Sequence, residues 1–329
     1  MTDSDDTTSI NPTTSDLAFT RSEARGTIAE PAYAGALSFM RRRYTRDLGG
    51  ADVAVMGVPF DMSVSGRSGA RLGPRAVRAA SSHIAWSAPW PWSFDPFERL
   101  AVVDCGDAFF DHGYPAQIPE AITQAARDVL ASDTALLTLG GDHFITWPLL
   151  KAHAEKHGPL ALIQIDAHSD TWEDEPGRID HGTMLWHAVR EGLIVPQASV
   201  QVGIRTHNPD PLGVHVIDAR EVHLSGPVAV AGKVRGIVGD RPCYVTFDID
   251  ALDPSMAPGT GTPVVGGLST FQAQEILRGL EGISLRGMDV VEVAPAYDIS
   301  EITALAAATL ACDLLCLYAA APGRDTPSP

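Results

Sequence analysis

The chain is poor in positive charge. Its 24 Lys and Arg stand against 41 Asp and Glu, a formal net charge of −17, and its pI is near 4.9. Nucleic acids and anionic membrane surfaces demand clustered cations, so neither is an expected partner. The one basic run, Arg41-Arg42-Arg43, is expected to form a solvated face or ion pairs between subunits. Cysteine is scarce as well. Cys105, Cys243, Cys312 and Cys316 show no zinc-finger or thioredoxin spacing, so they read as core packing in a reducing, cytoplasmic setting. No apolar run is expected to reach the ~18 residues that a membrane-spanning helix needs. The polar, acidic opening MTDSDDTTSINPTTSD resembles neither a secretory nor a transit peptide. The glycine-rich segments lack a Gly-Lys-Ser/Thr element, which excludes a phosphate-cradling loop. Gly66, Gly69 and Gly73 instead mark a long irregular loop, and Gly259, Gly261, Gly266 and Gly267 mark tight turns after Asp253-Pro254.

What the sequence does contain is a repeated alternation of short apolar runs with amphipathic stretches. Strands are expected at 52–57, 101–105, 135–139, 160–165, 199–203, 214–217, 243–247 and 287–291, and helices near 117–131, 145–157, 183–191, 270–280 and 301–320. Such alternation indicates an α/β fold: a three-layer α/β/α sandwich around a mainly parallel sheet of about eight strands. Residues 1–25, rich in Thr, Ser and Asp, read as a disordered tail. Residues 26–322 read as a single domain, and 323–329 as a flexible C-terminal tail.

Two acidic clusters each follow an apolar run: Asp166-Ala167-His168-Ser169-Asp170 and Asp248-Ile249-Asp250. Alternation along a strand predicts that Asp166, His168 and Asp170 share one side, as do Asp248 and Asp250. Four crowded carboxylates need a neutralising cation, because unpaired buried charge is costly. Five or six oxygen and nitrogen ligands exceed what one tetrahedral zinc takes, so a two-metal centre is the natural expectation. Gly140-Gly141-Asp142-His143 follows a third strand and Glu292 a fourth. In open parallel sheets, ligands bind beyond the carboxyl ends of the strands, so all four segments are expected on one rim.

These motifs also carry a resemblance. GGDH at 140–143, DAHSD at 166–170, His181-Gly182-Thr183-Met184, FDIDALDP at 247–254 and DVVEVAPAYD at 289–298 together resemble the ureohydrolase family of arginases and agmatinases. The likeness runs from about residue 50 to 322. GVPFDMSVSGRSG at 57–69, GTGTPVVGGL at 259–268 and SEITALAAATLA at 300–311 are similar to bacterial agmatinases in particular. The resemblance implies an arginase-like sandwich and two Mn2+ ions, with Ni2+ or Co2+ as alternatives. One ion would be held by His143, Asp166, Asp170 and Asp248, and the other by His168, Asp166, Asp248 and Asp250. Two cations sharing a water lower its pKa and supply hydroxide at neutral pH, a nucleophile strong enough for a resonance-stabilised guanidinium. The resemblance further implies that Asp170 passes a proton toward the leaving amine, that His181 is a proton shuttle, and that Glu292 fixes the guanidinium. His181, Glu292, Trp172 and Asn208 are the expected substrate contacts.

The expected reaction is hydrolysis of a small cationic guanidino compound, foremost agmatine to putrescine and urea in polyamine biosynthesis. The loop from Asp170 to His181 carries Trp172 where an arginase-like asparagine would stand, and Gly203–Asn208 lacks arginase-like acids, which disfavours an α-amino acid substrate. Glu173, Asp174 and Glu175 would attract a distal ammonium, whereas Arg178 would suit a carboxylate such as that of 4-guanidinobutyrate. That compound, or a small or alkylated guanidine, is the alternative substrate. Two further alternatives are a non-catalytic metal-binding assembly subunit and a one-zinc deacetylase-like amidohydrolase. The family resemblance implies a homo-oligomer, a trimer or hexamer. Trp86, Trp90 and Trp92 are expected in local packing or a subunit contact, with a pocket wall as the other reading.

Overall fold

The structure, a computed structural model, describes residues 31–322 apart from Pro176 and Pro209. Both expected tails, and residues 26–30 of the expected domain, lie outside the described residues. Eight strands form one sheet: β1 (Val53–Val58), β2 (Val102–Asp107), β3 (Ala135–Gly140), β4 (Ala161–Ile165), β5 (Val200–Ile204), β6 (His215–Asp218), β7 (Pro242–Asp248) and β8 (Ser284–Val291). Their order is β2-β1-β3-β8-β7-β4-β5-β6, and every pairing is parallel. Each expected strand forms, with ends shifted by three residues or fewer. Parallel strands covered on both faces read as continuous Val, Ile and Leu runs, and β1, β3, β4 and β5 are buried throughout. The edge strand β6 is exposed at three of its four positions.

The covering helices are α1 (Gly73–Ser81), α2 (Pro96–Arg99), α3 (Ile118–Ala131), α4 (Thr146–His157), α5 (Met184–Arg190), α6 (Ala219–Ser225), α7 (Pro227–Val238), α8 (Thr270–Arg278) and α9 (Ile302–Ala319). Alternating side chains of each strand feed two separate apolar layers. Val53, Val55, Leu137 and Leu139 pack in one core with Val77, Val234, Ile276 and Leu314. Ala54, Met56, Val58 and Leu136 pack in the other with Ile122, Leu149 and Leu185. The sheet is therefore the middle of three layers.

Three expectations fail. The helix α9 has 18 residues and a mean hydropathy of 1.8, so by length and composition it meets the criterion for a bilayer span. It is 78% buried against the protein, as a central helix apolar on all sides should be. Gly73 does not sit in irregular loop but starts α1, with Pro74 in its first turn; a Cβ there would lie 2.6 Å from Val293 O and 2.9 Å from Gly140 O. Glycine thus lets α1 begin hard against the ends of β3 and β8. Finally, Arg41 and Arg42 are buried rather than solvated. The Arg41 guanidinium donates to the carbonyls of Pro31 and Ala36, and that of Arg42 lies 4.2 Å over the Phe97 ring.

The tryptophan loop packs only in part, since Trp90 is 88% exposed. The Trp92 indole donates to Asp313 of α9 at 2.7 Å, and Trp86 and Trp92 line a surface hollow separate from the acidic rim.

Candidate metal centre

Strands β3, β8, β7 and β4 are consecutive neighbours at the middle of the sheet, so the segments after them meet on one rim. After β3, Gly141 donates to Val58 O and Asp142 to Phe60 O. A Cβ on Gly141 would lie 2.0 Å from Phe60 O, so only glycine lets the chain pass there and turn His143 inward. After β8, the Glu292 N–H donates to Gly141 O at 2.8 Å, locking the two loops together.

The acidic clusters converge, but not by strand alternation. The strand β4 ends at Ile165, and Asp250 lies in a 3-10 turn beyond β7. Turns closed by the acids themselves do the aiming. The His168 N–H donates to Asp166 Oδ1 at 2.6 Å, the Asp250 N–H to Asp248 Oδ1 at 2.8 Å, and the Ala167 N–H to Asp250 Oδ1 at 3.2 Å. Asp170 and Glu292 hold left-handed backbones, φ 51° and 65°. This conformation strains non-glycine residues and is concentrated at functional sites.

Two ligand-like groups result, His143–Asp166–Asp248 and Asp166–His168–Asp250, with Asp166 common to both. The His143 Nδ1 lies 2.9 Å from Asp166 Oδ2, 2.9 Å from Asp170 Oδ2 and 3.2 Å from Asp248 Oδ2. Yet this buried nitrogen has no partner in hydrogen-bonding geometry among the described residues. The His168 Nδ1 lies 3.0 Å from Asp250 Oδ2 and 3.6 Å from Asp166 Oδ1. Carboxylate oxygens crowded around imidazole lone-pair positions fit hard divalent cations. The geometry gives Asp166 to both groups, while Asp248 stands with the first, its Oδ1 held by the Asp250 N–H.

The electrostatics express the same demand for positive charge. Burial, then the charges of Asp250 and Asp166, pushes Asp248 well above the usual carboxylate pKa. Burial and the Asp166 charge likewise lift Asp170 to about 6 and raise Asp250. Burial would lower His168, but hydrogen bonds to Asp166 and Asp250 carry it to about 12; burial would lower His143 too, but the close carboxylates of Asp166, Asp170 and Asp248 raise it. Only Asp166 falls, its burial outweighed by both histidines. Without other cations, the histidines hold protons that the four carboxylates call for.

These groups open onto a cavity of about 350 Å³ lined by Ser65, Trp172, Arg178, Asp180, His181 and Thr262 together with His143, His168, Asp170 and Asp248. A larger hollow of about 690 Å³ beside β2 has no such convergence of ligand side chains and lies away from this rim. His181 is held on both ring nitrogens. Nδ1 is 3.0 Å from Glu292 Oε1, and Nε2 accepts the Ser65 N–H at 3.1 Å with Ser65 Oγ at 2.8 Å. Burial lowers its pKa, but the Glu292 hydrogen bond and charge prevail and carry it to about 9. The Ser65 N–H pulls the other way, because it needs a lone pair on Nε2 and so favours the neutral ring with its proton on Nδ1. Whenever the ring is neutral, that contact keeps its one proton on Nδ1, toward Glu292.

Glu292 is 1% exposed and lies behind His181 rather than on the cavity wall. Its Oε1 also accepts the His143 N–H at 2.9 Å, and its Oε2 is buried with no partner among the described residues. Asn208 does not line the cavity; its amide donates to Thr171 Oγ1, next to Asp170. Glu173 and Glu175 are exposed outside it, and Asp174 is buried beneath the loop, accepting from Thr183 Oγ1 and Arg178. Ser65 and Thr262 were not singled out by sequence. The available signals were the GVPFDMSVSGRSG and GTGTPVVGGL stretches, in which nothing local marks which hydroxyl turns inward.

A family model described as the Arginase family matches residues 51–316. The chain is 59% identical to an agmatinase of Chromobacterium violaceum over 92% of this chain and 94% of that protein. Among solved structures, a hypothetical agmatinase from Burkholderia thailandensis is 60% identical with a TM-score of 0.90, covering 93% of this chain and 98% of that one. The proclavaminate amidino hydrolase of Streptomyces clavuligerus is 39% identical with a TM-score of 0.83, covering 88% and 99%.

Proposed function

The chain belongs to the arginase family, and from that premise we propose that it hydrolyses agmatine to putrescine and urea at this centre. The observation that carries the reading is a pair of histidine–carboxylate groups sharing Asp166 at the floor of a cavity that His181 overlooks. One ion would be held by His143, Asp166, Asp170 and Asp248, and the other by His168, Asp166, Asp248 and Asp250. Mn2+ suits a set of carboxylates with one imidazole per ion, Ni2+ or Co2+ being the alternatives. Bound together, such ions supply Lewis acidity and acidify a shared water.

The chain's own groups do the rest. His181, on the cavity wall with Glu292 behind it, moves a proton between substrate and solvent. Asp170, on the rim of the centre beside His143, would pass a proton toward the leaving amine. Glu292, whose Oε2 has no partner among the described residues, would hold the guanidinium by its negative charge, from behind the His181 ring rather than from the cavity wall. Trp172, 53% exposed on the cavity wall, offers an apolar surface to the alkyl chain; Asn208 would act only at one remove, through Thr171.

Charge at the mouth favours agmatine over 4-guanidinobutyrate. Arg178 is the one Arg or Lys among the described lining residues, and it is taken up by Asp180 at 2.6 Å and Asp174 at 3.4 Å. It has little left for a substrate carboxylate. Asp180→Asn should therefore shift preference toward 4-guanidinobutyrate. Exposed ion pairs are worth about 0–1 kcal/mol, so the ratio of the two kcat/KM values should move by no more than about fivefold. An unchanged ratio would show that Arg178 plays no part in selection.

The direct test is urea release by the purified chain, loaded with Mn2+, from agmatine, 4-guanidinobutyrate, arginine and guanidine. The expected outcome is the highest kcat/KM on agmatine. A preference for arginine would overturn the specificity, and no urea from any of them would favour an assembly subunit. The four cysteines, all free and buried, support a reducing, cytoplasmic setting. Exposed Phe271, Ile302 and Leu305 beside an apolar groove between α8 and α9 support a homo-oligomer, for which light scattering should give the mass of a trimer or hexamer.

A further inference from the structure

We propose that Asp289 is a positioning residue for the metal centre, acting through Thr246 to fix the tautomer and strengthen the donor nitrogen of His143. The inference rests on reading His143 as a metal ligand. Thr246 of β7 and Asp289 of β8 are paired directly across the two central strands, and both are fully buried. While His143 Nδ1 faces the carboxylates, its Nε2 lies 2.8 Å from Thr246 Oγ1. Thr246 Oγ1 in turn donates to Asp289 Oδ1 at 2.5 Å. The other carboxylate oxygen accepts from Tyr244 OH at 2.8 Å and Thr146 Oγ1 at 2.9 Å.

The polarity of this chain follows from counting protons. An ionised carboxylate only accepts, and a threonine hydroxyl carries one proton. With that proton committed to Asp289, Thr246 Oγ1 can only accept from His143. The imidazole N–H must then be on Nε2, which leaves the Nδ1 lone pair toward the carboxylates, as ligation requires. Negative charge relayed from Asp289 also makes the ring a stronger donor, the role that outer carboxylates play for metal-bound histidines. Burial raises the pKa of Asp289, while His143 and the three hydroxyls oppose the rise.

A purely structural account is also available, since Asp289 ties together β7, β8 and α4 through three hydroxyls. The two accounts diverge on metal binding. The decisive experiment measures Mn2+ affinity by calorimetry on metal-stripped full-length protein, with the electron paramagnetic resonance of the spin-coupled pair as a second readout. The variants are Asp289→Asn, Thr246→Val and Thr246→Ser, with Tyr244→Phe as a control that removes a hydroxyl from Asp289 but leaves the path to His143. The affinity of one of the two ions should fall about 10–100-fold in Asp289→Asn and Thr246→Val, the usual cost of losing such a partner. The coupled signal should weaken with it, and Thr246→Ser should restore both. Tyr244→Phe should bind Mn2+ like the parent protein. Two ions bound at parental affinity in Thr246→Val, whose side chain keeps the shape of threonine, would overturn the inference even if Asp289→Asn does not fold. Failure of the parent protein itself to bind two ions would overturn the metal-centre reading, and this inference with it.

Discussion

Asp248→Asn is expected to abolish measurable urea release and to lose tight binding of the metal pair, while the metal-free protein keeps its fold. The asparagine carbonyl oxygen can still accept the Asp250 N–H now held by Asp248 Oδ1 at 2.8 Å, so the turn beyond β7 survives. What disappears is a negative charge that stands 3.2 Å from His143 Nδ1. In the metal-free protein this charge is a burden, because burial and the neighbouring Asp250 and Asp166 raise the Asp248 pKa well above its usual value. The melting temperature of the stripped variant should thus equal or exceed that of the stripped parent. With Mn2+ the order should reverse. A ligand present at 100 times its Kd stabilises the folded state by about 2.7 kcal/mol per site, and the variant should forfeit most of that gain. Thermal melts with and without Mn2+ test the sign of both changes. Full turnover in the variant, or an equal Mn2+-induced rise, would refute a ligand role for Asp248.

Glu292→Gln should cost on the order of 10–150-fold in kcat/KM, the range that follows from about 1.5–3 kcal/mol for a hydrogen bond to a charged group. The amide oxygen can keep the contacts to the His143 N–H and to His181 Nδ1, so the loss is of charge rather than shape. Its sharper signature is in the pH profile. Burial lowers the pKa of His181, and the hydrogen bond and charge of Glu292 carry it to about 9. Without that carboxylate the ring loses its proton at lower pH. The alkaline limb of kcat/KM, where His181 must carry the proton that it shuttles between solvent and substrate, should accordingly move to lower pH. An unchanged alkaline limb together with a reduced rate would mean that Glu292 acts on the guanidinium alone and not on His181.

The two acidic clusters do meet on one rim, but not for the reason that their spacing suggested. Spacing of two suggested strand alternation, yet Asp166 through Asp170 and Asp250 lie beyond their strands. What gathers them is a set of short-range turns in which aspartate side chains accept N–H groups two residues on. Helices were less legible than strands. The helix α7 went unseen because Pro227, Gly232 and Gly236 interrupt PVAVAGKVRGIV and blur its periodicity, although packing against β4 and β5 more than offsets those weak formers. The burial of Arg41 and Arg42 was equally out of reach, since their partners include the carbonyls of Pro31, Ala36 and Met40 and the ring of Phe97, which no local pattern marks.

By itself the sequence determined the eight-strand alternation, the acid and histidine types at each strand end, and the family to which those motifs belong. These depend on local pattern and residue chemistry, which the one-dimensional string carries in full. Tertiary structure alone decided which neighbours act on those groups: Ser65 on His181 across 116 positions, Glu292 on His143 across 149, and Asp289 on Thr246 across 43. The reason lies in the strand order, in which β8 and β7, last along the chain, insert between β3 and β4. Contacts made by that insertion join segments far apart in sequence, and no local pattern records them.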